Sequence, residues 1–201
     1  MDALAYGWIE ISFIVAISQD LLALVALAGS EDSTDRMAAL SDEFNRSVFV
    51  EITNNTENKF FATPATYIFS GYVFTLPTPL INPGRRGEAL FVRTAGTARG
   101  SVGVLTYTFG RDQFSLLFSN PYDYNLYSMI CALYAPVVPE ATDENLYYKM
   151  YYELAPSEFF AKLTLNSGTG ELSVRGGNVV IGATMNAKGS SSISIVIRDV
   201  Y

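Results

Sequence analysis

The stretch FSNPYDYNLYS at residues 118–128, followed by LYYKMYY at residues 146–152, is the most informative part of this 201-residue chain. Thirteen residues are tyrosines, and eight of them lie between positions 122 and 152. A tyrosine ring offers a π face to a quaternary ammonium group and a hydroxyl group to a phosphate. Its apolar body and polar tip also suit a membrane interface. The cluster points to lipid headgroups; the alternative is that tyrosines simply favour strands and half-buried helix faces.

Outward from this stretch, residues 46–201 contain strand-like segments separated by turn signals. Val48, Val50 and Ile52 alternate with other residues near the start of this region, as isoleucines do at 193, 195 and 197. One helix interrupts the strands, with Thr142 or Asp143 as its N-cap. We therefore predict a mainly β fold, a β-sandwich flanked by two α-helices, with a mobile apolar N-terminal helix as the first.

The chain divides into three predicted regions. Residues 1–28 form an N-terminal membrane-inserting helix, residues 29–45 a polar hinge or connection, and residues 46–201 a lipid-binding β-sandwich domain. Residues 8–28 are almost wholly apolar and would span about 30 Å as a helix, close to the thickness of a bilayer core. Two alternatives stay open for this segment, a signal peptide ending at Ala28 and a buried core helix.

Composition excludes several function classes. The chain has no histidine, which removes the usual general base and the common zinc and nucleophile constellations. Its single cysteine, Cys131, allows no internal disulfide and is either a buried hydrophobe or an exposed thiol. The net charge of −7 disfavours nucleic acid and purely anionic lipid surfaces as partners. We expect a protein that is not an enzyme and needs no cofactor or metal.

The order of the motifs resembles that of the actinoporins, the pore-forming cytolysins of sea anemones, and of their actinoporin-like relatives. The Pro-Tyr-Asp-Tyr-Asn-Leu-Tyr-Ser run at residues 121–128 is similar to their signature. Residues 100–107, GSVGVLTY, look like the strand that precedes it, and residues 67–71, YIFSG, look like the aromatic-x-x-Ser-Gly loop. The resemblance covers residues 46 to 155 closely and the C-terminal strands loosely.

The resemblance implies a phosphocholine site between the sandwich and its second helix. Carried over by motif position, the headgroup-binding residues are Ser70, Val102, Ser119, Pro121, Tyr127, Tyr147, Tyr151 and Tyr152. All eight retain the residue type of the family.

Two features depart from the family. Its exposed aromatic loop usually carries tryptophans, whereas this chain has Leu126, Met129 and Ile130, which we predict to contact the membrane interface; ordinary core positions are the alternative. The segment from 136 to 145 has no lysine or arginine where the anemone proteins have a basic loop. The lost tryptophans make selectivity for sphingomyelin less secure than membrane binding itself. The missing basic loop argues against long-range electrostatic steering but not against recognition of the zwitterionic phosphocholine group.

The resemblance implies a secreted, pore-forming protein. It would bind sphingomyelin or phosphatidylcholine on a target cell membrane, assemble as a homo-oligomer and insert its N-terminal helices to form a cation-permeable pore. The alternative is a non-lytic lectin-like or lipid-binding module on the same sandwich, which would not need the apolar segment at 8–28.

Overall fold

The computed structural model describes residues 44–200, which form two six-stranded sheets. Its strands are Ser47–Asn55 (β1), Phe61–Ser70 (β2), Tyr72–Thr75 (β3), Leu80–Ile81 (β4), Arg86–Val92 (β5), Ser101–Phe109 (β6), Asp112–Asn120 (β7), Met129–Tyr134 (β8), Phe160–Leu165 (β9), Gly168–Gly176 (β10), Val179–Ala187 (β11) and Ser190–Asp199 (β12). The first sheet has the order β10-β11-β12-β1-β5-β3, and the second has the order β4-β2-β6-β7-β8-β9.

The two ends of the described chain meet in the first sheet, where β1 and β12 pair in parallel. Val50 lies opposite Ile193 and Ile52 opposite Ile195, so the alternating residues of both strands fall on the same face. Because successive side chains of a strand point to opposite faces, this register directs all of them into the core. The alternation in the sequence predicted a strand at each of these two places, and the structure confirms both strands.

The main core lies between the sheets and is rich in aromatic rings. Phe91 of the first sheet and Phe118 of the second have ring centroids 4.3 Å apart. Tyr107 is fully buried there, and its hydroxyl donates to the carbonyl of Thr78 at 2.7 Å. Each large apolar side chain withdrawn from water contributes about 1.5–3 kcal/mol, so the sandwich is stable without a disulfide.

A short helical segment covers the outer face of the second sheet. It consists of an α-helix at Glu144–Tyr148 (α1) and a π-helical turn at Lys149–Glu153. The Asp143 carboxylate caps α1 by accepting a hydrogen bond from the amide of Leu146 at 3.0 Å. Leu146, Tyr147 and Met150 are buried against the sheet, in a cluster completed by Val102, Val104, Leu117, Ile130, Ala132 and Phe160.

The predicted β-sandwich is confirmed, whereas only one of the two predicted helices lies within the described residues. Residues 44–200 contain one of the two flanking helices, and it is only five residues long before the π-helical turn begins. The predicted apolar N-terminal helix at 1–28 and nearly all of the connection at 29–45 lie outside the described residues. Within the described part of the chain, no helix is long and apolar enough to cross a membrane.

Candidate functional site

Three of the predicted site residues form one row across the second sheet. Ser70 of β2 pairs with Val102 of β6, which in turn pairs with Ser119 of β7. Ile130 of β8 continues the row beside Ser119. Val102 and Ile130 pack in the cluster beneath the helix, so this row forms the floor on which the helical segment lies.

The helical segment presents two pairs of tyrosines to this floor and to solvent. The rings of Tyr147 and Tyr151 lie 5.4 Å apart, and those of Tyr148 and Tyr152 lie 5.9 Å apart. Residues four positions apart share a helical face, so this pairing follows from the spacing. Tyr147 is buried against the sheet, whereas Tyr152 is 67% exposed.

The π-helical turn brings consecutive tyrosines together as well. The amide of Leu154 donates to the carbonyl of Lys149 at 3.0 Å, a bond that closes over five residues instead of four. In this widened turn the rings of Tyr151 and Tyr152 lie 4.5 Å apart, although adjacent residues of an α-helix do not face each other. The turn therefore gathers three aromatic rings, those of Tyr147, Tyr151 and Tyr152, at the end of the helix.

An ion pair holds the start of this turn in place. Lys149 Nζ lies 2.7 Å from Glu140 Oε1, and the hydroxyl of Tyr134 donates to the same carboxylate oxygen at 2.9 Å. The hydrogen bond that Lys149 donates to Glu140 is the main cause that raises the pKa of Lys149, while partial burial acts in the opposite sense. Glu140 thus connects the loop after β8 to the helical segment above it.

Sequence reasoning missed two aromatic residues of the site, Tyr67 and Phe69. The ring of Phe69 stacks on that of Tyr147 at 4.7 Å with an interplanar angle of 12°, and the ring of Tyr67 lies 5.9 Å from it. Both residues are on β2, where the register against β6 shifts between Ile68 and Ser70. Their position in the YIFSG motif, immediately before Ser70, is the signal that could have found them.

The hydroxyl groups of the site belong to partly desolvated tyrosines. Burial is the main cause that raises the pKa of Tyr151, and the neighbouring Tyr152 raises it further, whereas a hydrogen bond with Ser119 lowers it. Tyr127 lies close enough to add a smaller upward shift. Burial likewise raises the pKa of Tyr147 well above its ordinary value. These hydroxyl groups therefore stay protonated at neutral pH and are available as hydrogen-bond donors.

The loop at 121–128 carries two exposed side chains of the site, those of Leu126 and Tyr127. The Asp123 carboxylate accepts from the amide of Asn125 at 2.8 Å, and the Asp123 carbonyl accepts from the amide of Tyr127 at 3.1 Å. These local bonds make a compact turn of the kind that aspartate favours. The turn exposes Leu126 by 71% and Tyr127 by 61%, side by side at its tip.

Asn120 anchors this loop to the first sheet. It is fully buried, and its side-chain amide donates to the carbonyls of Ser47 at 2.8 Å and Gly189 at 2.9 Å. Its side-chain oxygen accepts from the hydroxyl of Tyr124 at 2.7 Å. One residue at the end of β7 therefore joins the loop, the start of β1 and the turn between β11 and β12.

Gly100 allows the loop to leave the sandwich. A Cβ atom at this position would lie 2.2 Å from the carbonyl oxygen of Asn120 and 2.7 Å from Cα of Pro121. Backbone therefore passes where any other residue would place a side chain. The Gly100 carbonyl also accepts a hydrogen bond from the hydroxyl of Ser70 at 2.9 Å, which fixes this end of the floor.

The structure thus brings the predicted headgroup residues to one side of the molecule but gives them different exposure. Val102, Ser119, Pro121 and Tyr147 are buried, and Ser70 and Tyr151 are partly buried. Tyr127 and Tyr152 are exposed. The buried residues shape the site, while the side chains of Tyr127, Tyr151 and Tyr152 are at least partly accessible.

The prediction of three membrane-interface residues needs a correction. Met129 is buried in the main core, and Ile130 is buried beneath the helical segment. They begin β8, whose side chains are covered by the opposite sheet on one face and by the helix on the other. The alternative of ordinary core applies to both residues, and only Leu126 offers apolar surface to a membrane.

The thiol of Cys131 lies inside the sandwich. Cys131 is buried, and burial raises the pKa of its thiol to about 12, so it behaves as a small hydrophobe. Among residues 44–200, no group of three or more His, Cys, Asp or Glu side chains is placed to hold a metal ion. What the site offers is ring faces for a cation, together with hydroxyl groups for an anion.

The solved structure of the lipid binding protein Nakanori has a similar fold. It aligns with a TM-score of 0.59 at 15% identity, covering 87% of this chain and 85% of that one. This likeness shows that the two proteins share a fold.

Curated relatives are similar in sequence over shorter stretches. Hydra actinoporin-like toxin 5 of Hydra vulgaris is 33% identical over 76 residues, 38% of this chain and 40% of that protein. DELTA-actitoxin-Aas1a of Anthopleura asiatica is 30% identical over 127 residues, 61% of this chain and 58% of that protein. The matches therefore span about half the length of these relatives. The model of the family described as "Sea anemone cytotoxic protein" matches residues 23–198 of this chain. The chain therefore belongs to that family, which comprises the actinoporins and their actinoporin-like relatives.

Proposed function

We propose that this protein forms pores in membranes that contain phosphocholine lipids. It is secreted, docks through the tyrosine site on a target cell membrane, assembles as a homo-oligomer and inserts its apolar N-terminal segment to make a cation-permeable pore. Family membership supports the general activity. The geometry of the site supports the choice of lipid.

The observation that carries the proposal is the group of three accessible tyrosines, Tyr127, Tyr151 and Tyr152, above the row of Ser70, Val102 and Ser119. The faces of closely spaced tyrosine rings attract a quaternary ammonium group, at about 0.5–2 kcal/mol for each contact. Their hydroxyl groups donate to the phosphate beside it. Choline and phosphate are the two parts of one zwitterionic headgroup, so the net negative charge of the chain does not oppose its binding.

Leu126 supports the orientation of docking. It lies next to Tyr127 at the tip of the loop and is 71% exposed, so it would enter the interface when the tyrosines engage headgroups. Full burial of one such side chain contributes about 1.5–3 kcal/mol. Family membership supports sphingomyelin as the preferred lipid. Because the loop lacks the tryptophans that are usual in the family, we propose that phosphatidylcholine is also sufficient for binding.

Vesicle binding by paired variants tests the docking site. Tyr127→Ala and Tyr152→Ala each remove an exposed ring, and we expect each to weaken binding to sphingomyelin vesicles by about 1–2 kcal/mol, or about 5- to 30-fold. Phe60→Ala is the matched control, because Phe60 is an exposed ring just before β2, at the opposite end of that strand from Ser70.

The proposal predicts unchanged thermal unfolding for all three variants and a loss of binding for the two tyrosine variants alone. Equal binding by the tyrosine variants and the parent would overturn the site. Equal binding of the parent to sphingomyelin vesicles and to purely phosphatidylglycerol vesicles would show that the tyrosines are not the recognition element.

Pore formation is tested separately, since it depends on residues that the structure does not describe. Deletion of residues 1–28, or Ala16→Pro within the apolar segment, should leave vesicle binding nearly intact and abolish leakage of an entrapped dye. Binding without leakage by the parent itself would favour the alternative, a lectin-like or lipid-binding module. Retained leakage after the deletion would show that the pore forms without this segment.

A further inference from the structure

Two arginines lie beside one exposed tyrosine on the loop that carries the site. The guanidinium carbon of Arg46 is 6.0 Å from the ring centroid of Tyr122, and that of Arg93 is 5.7 Å from the same centroid. Arg46 also stacks over the ring of Tyr124 at 4.1 Å. Two guanidinium groups therefore lie close to the ring of Tyr122.

Neither arginine has a carboxylate partner among the described residues. Arg46 donates to the carbonyl of Tyr122 at 2.9 Å and to the side-chain oxygen of Asn45 at 2.7 Å. Arg93 donates to the carbonyl of Thr97 at 3.2 Å. All these acceptors are neutral, and each guanidinium has five N–H groups, so both keep donors for a further ligand.

Backbone hydrogen bonding fixes where these arginines sit. The amide of Arg46 donates to the carbonyl of Gly189 at 2.8 Å, which holds the start of β1 against the turn between β11 and β12. Arg93 directly follows β5. Both side chains are partly buried, and cation–π contacts orient them. A pre-oriented guanidinium loses less conformational freedom when it binds a ligand than one on an extended side chain.

Among the described residues near these arginines, cations outnumber carboxylates, although the chain as a whole is acidic. The described loops at this end of the sandwich contribute the cations Arg46, Arg93, Arg99 and Lys188, and Asp123 as the sole carboxylate. The Asp123 carboxylate is engaged within its own turn, where it accepts from the amide of Asn125. In a protein with a net charge of −7, a local excess of cations at one end favours an anionic partner there.

We propose that Arg46 and Arg93 form a phosphate-binding site that takes the headgroup of an anionic membrane lipid next to the phosphocholine site. Guanidinium groups bind phosphate oxygens through paired N–H donors, and the guanidinium carbons of both arginines lie within 6.0 Å of the ring centroid of Tyr122. Tyr122 and Tyr127 belong to the same eight-residue loop, so a protein docked through Tyr127 holds Arg46 and Arg93 near the membrane surface. The inference rests on the docking orientation of the proposed function, but not on pore formation.

The test compares vesicles of phosphatidylcholine alone with vesicles that also contain a minor fraction of phosphatidic acid. Each arginine near an anionic surface strengthens binding about five-fold, so the parent should bind more tightly to the vesicles that contain phosphatidic acid. This gain in affinity should fall with added salt, because salt screens the charges. In Arg46→Gln/Arg93→Gln the gain should disappear, while binding to phosphatidylcholine alone stays at the level of the parent.

A charge-matched double variant separates a defined site from general electrostatics. Arg111→Gln/Arg175→Gln removes two exposed arginines at the opposite end of the sandwich and should keep the gain. Equal loss of the gain in both double variants, or its retention in Arg46→Gln/Arg93→Gln, would overturn the proposal. If Arg46→Gln unfolds the protein, the single variant Arg93→Gln should still be informative. The increase in binding that phosphatidic acid causes should be about five-fold smaller in Arg93→Gln than in the parent.

A final arm distinguishes the source of the phosphate. Inorganic phosphate should compete with phosphatidic acid for the parent and have no effect on the double arginine variant. Inorganic phosphate could stabilise the parent while phosphatidic acid gives no increase in vesicle binding. That result would assign the site to a soluble phosphate ligand and contradict the proposal of a lipid headgroup. If the parent does not bind phosphatidylcholine vesicles, the proposed function is contradicted. Failure of the arginine site and failure of the proposed function therefore give different results.

Discussion

Replacement of Asn120 by alanine should be among the most costly single changes outside the apolar core. The side chain is fully buried and makes two hydrogen bonds to backbone carbonyls, those of Ser47 and Gly189, and one from the hydroxyl of Tyr124. Each neutral hydrogen bond contributes about 0.5–1.5 kcal/mol net. We therefore expect Asn120→Ala to lower the free energy of unfolding by about 2–4 kcal/mol, measured by urea denaturation.

Two controls make the magnitude informative. Tyr124→Phe leaves the bonds donated by the Asn120 amide in place and removes only those of the Tyr124 hydroxyl, to the Asn120 side-chain oxygen and to the carbonyl of Lys188. We expect a loss of about 0.5–1.5 kcal/mol. Asn58→Ala removes an exposed asparagine and should change stability by about 0.5 kcal/mol or less. A loss below about 1 kcal/mol for Asn120→Ala would refute the idea that this residue anchors the loop to the first sheet.

Three further predictions concern separate features. Cys131, with a pKa raised to about 12 by burial, should not react with a thiol reagent in the folded protein at neutral pH but should react fully in denaturant. Gly100→Ala should destabilise the fold by about 1–3 kcal/mol in thermal unfolding, because its Cβ would meet the backbone of Asn120 and Pro121; unchanged stability would contradict that close approach. Asp199 has a pKa lowered by its hydrogen bond from Lys59, so its contribution to stability is complete above the ordinary pKa of about 3.9 and is lost as the pH falls toward the lower folded value. Asp199→Asn should flatten this acid side of the stability profile, and an identical profile would show that the pair does not couple to folding.

Much of the fold followed from local patterns in the sequence. The alternation in β1 and β12 specified which face of each strand enters the core, and the tyrosine spacing specified the pairs at 147/151 and 148/152. The N-cap at Asp143 was one of two predicted candidates, and the structure selects it. These features depend on neighbours along the chain or on a simple period, so a single sequence contains the information.

Features that depend on partners far away in the chain were not predictable in the same way. Met129 and Ile130 follow an exposed loop in the sequence, yet pairing of β8 with β7 and β9 places them inside the sandwich and beneath the helix. The stacking of Phe69 on Tyr147 depends on a register shift in β2, which no periodicity reveals. The π-helical turn is likewise not encoded by any spacing of apolar residues.

The central claim, that the tyrosine site recognises phosphocholine, is tested most directly by following backbone amide resonances during titration with soluble phosphocholine. We expect saturable chemical-shift changes that are largest for the amides of Ser119, Tyr127, Tyr151 and Tyr152, while the amides of the β11–β12 turn move little. These changes should disappear in Tyr151→Ala. Absence of shifts at these four residues, or larger shifts elsewhere on the sandwich, would contradict the claim.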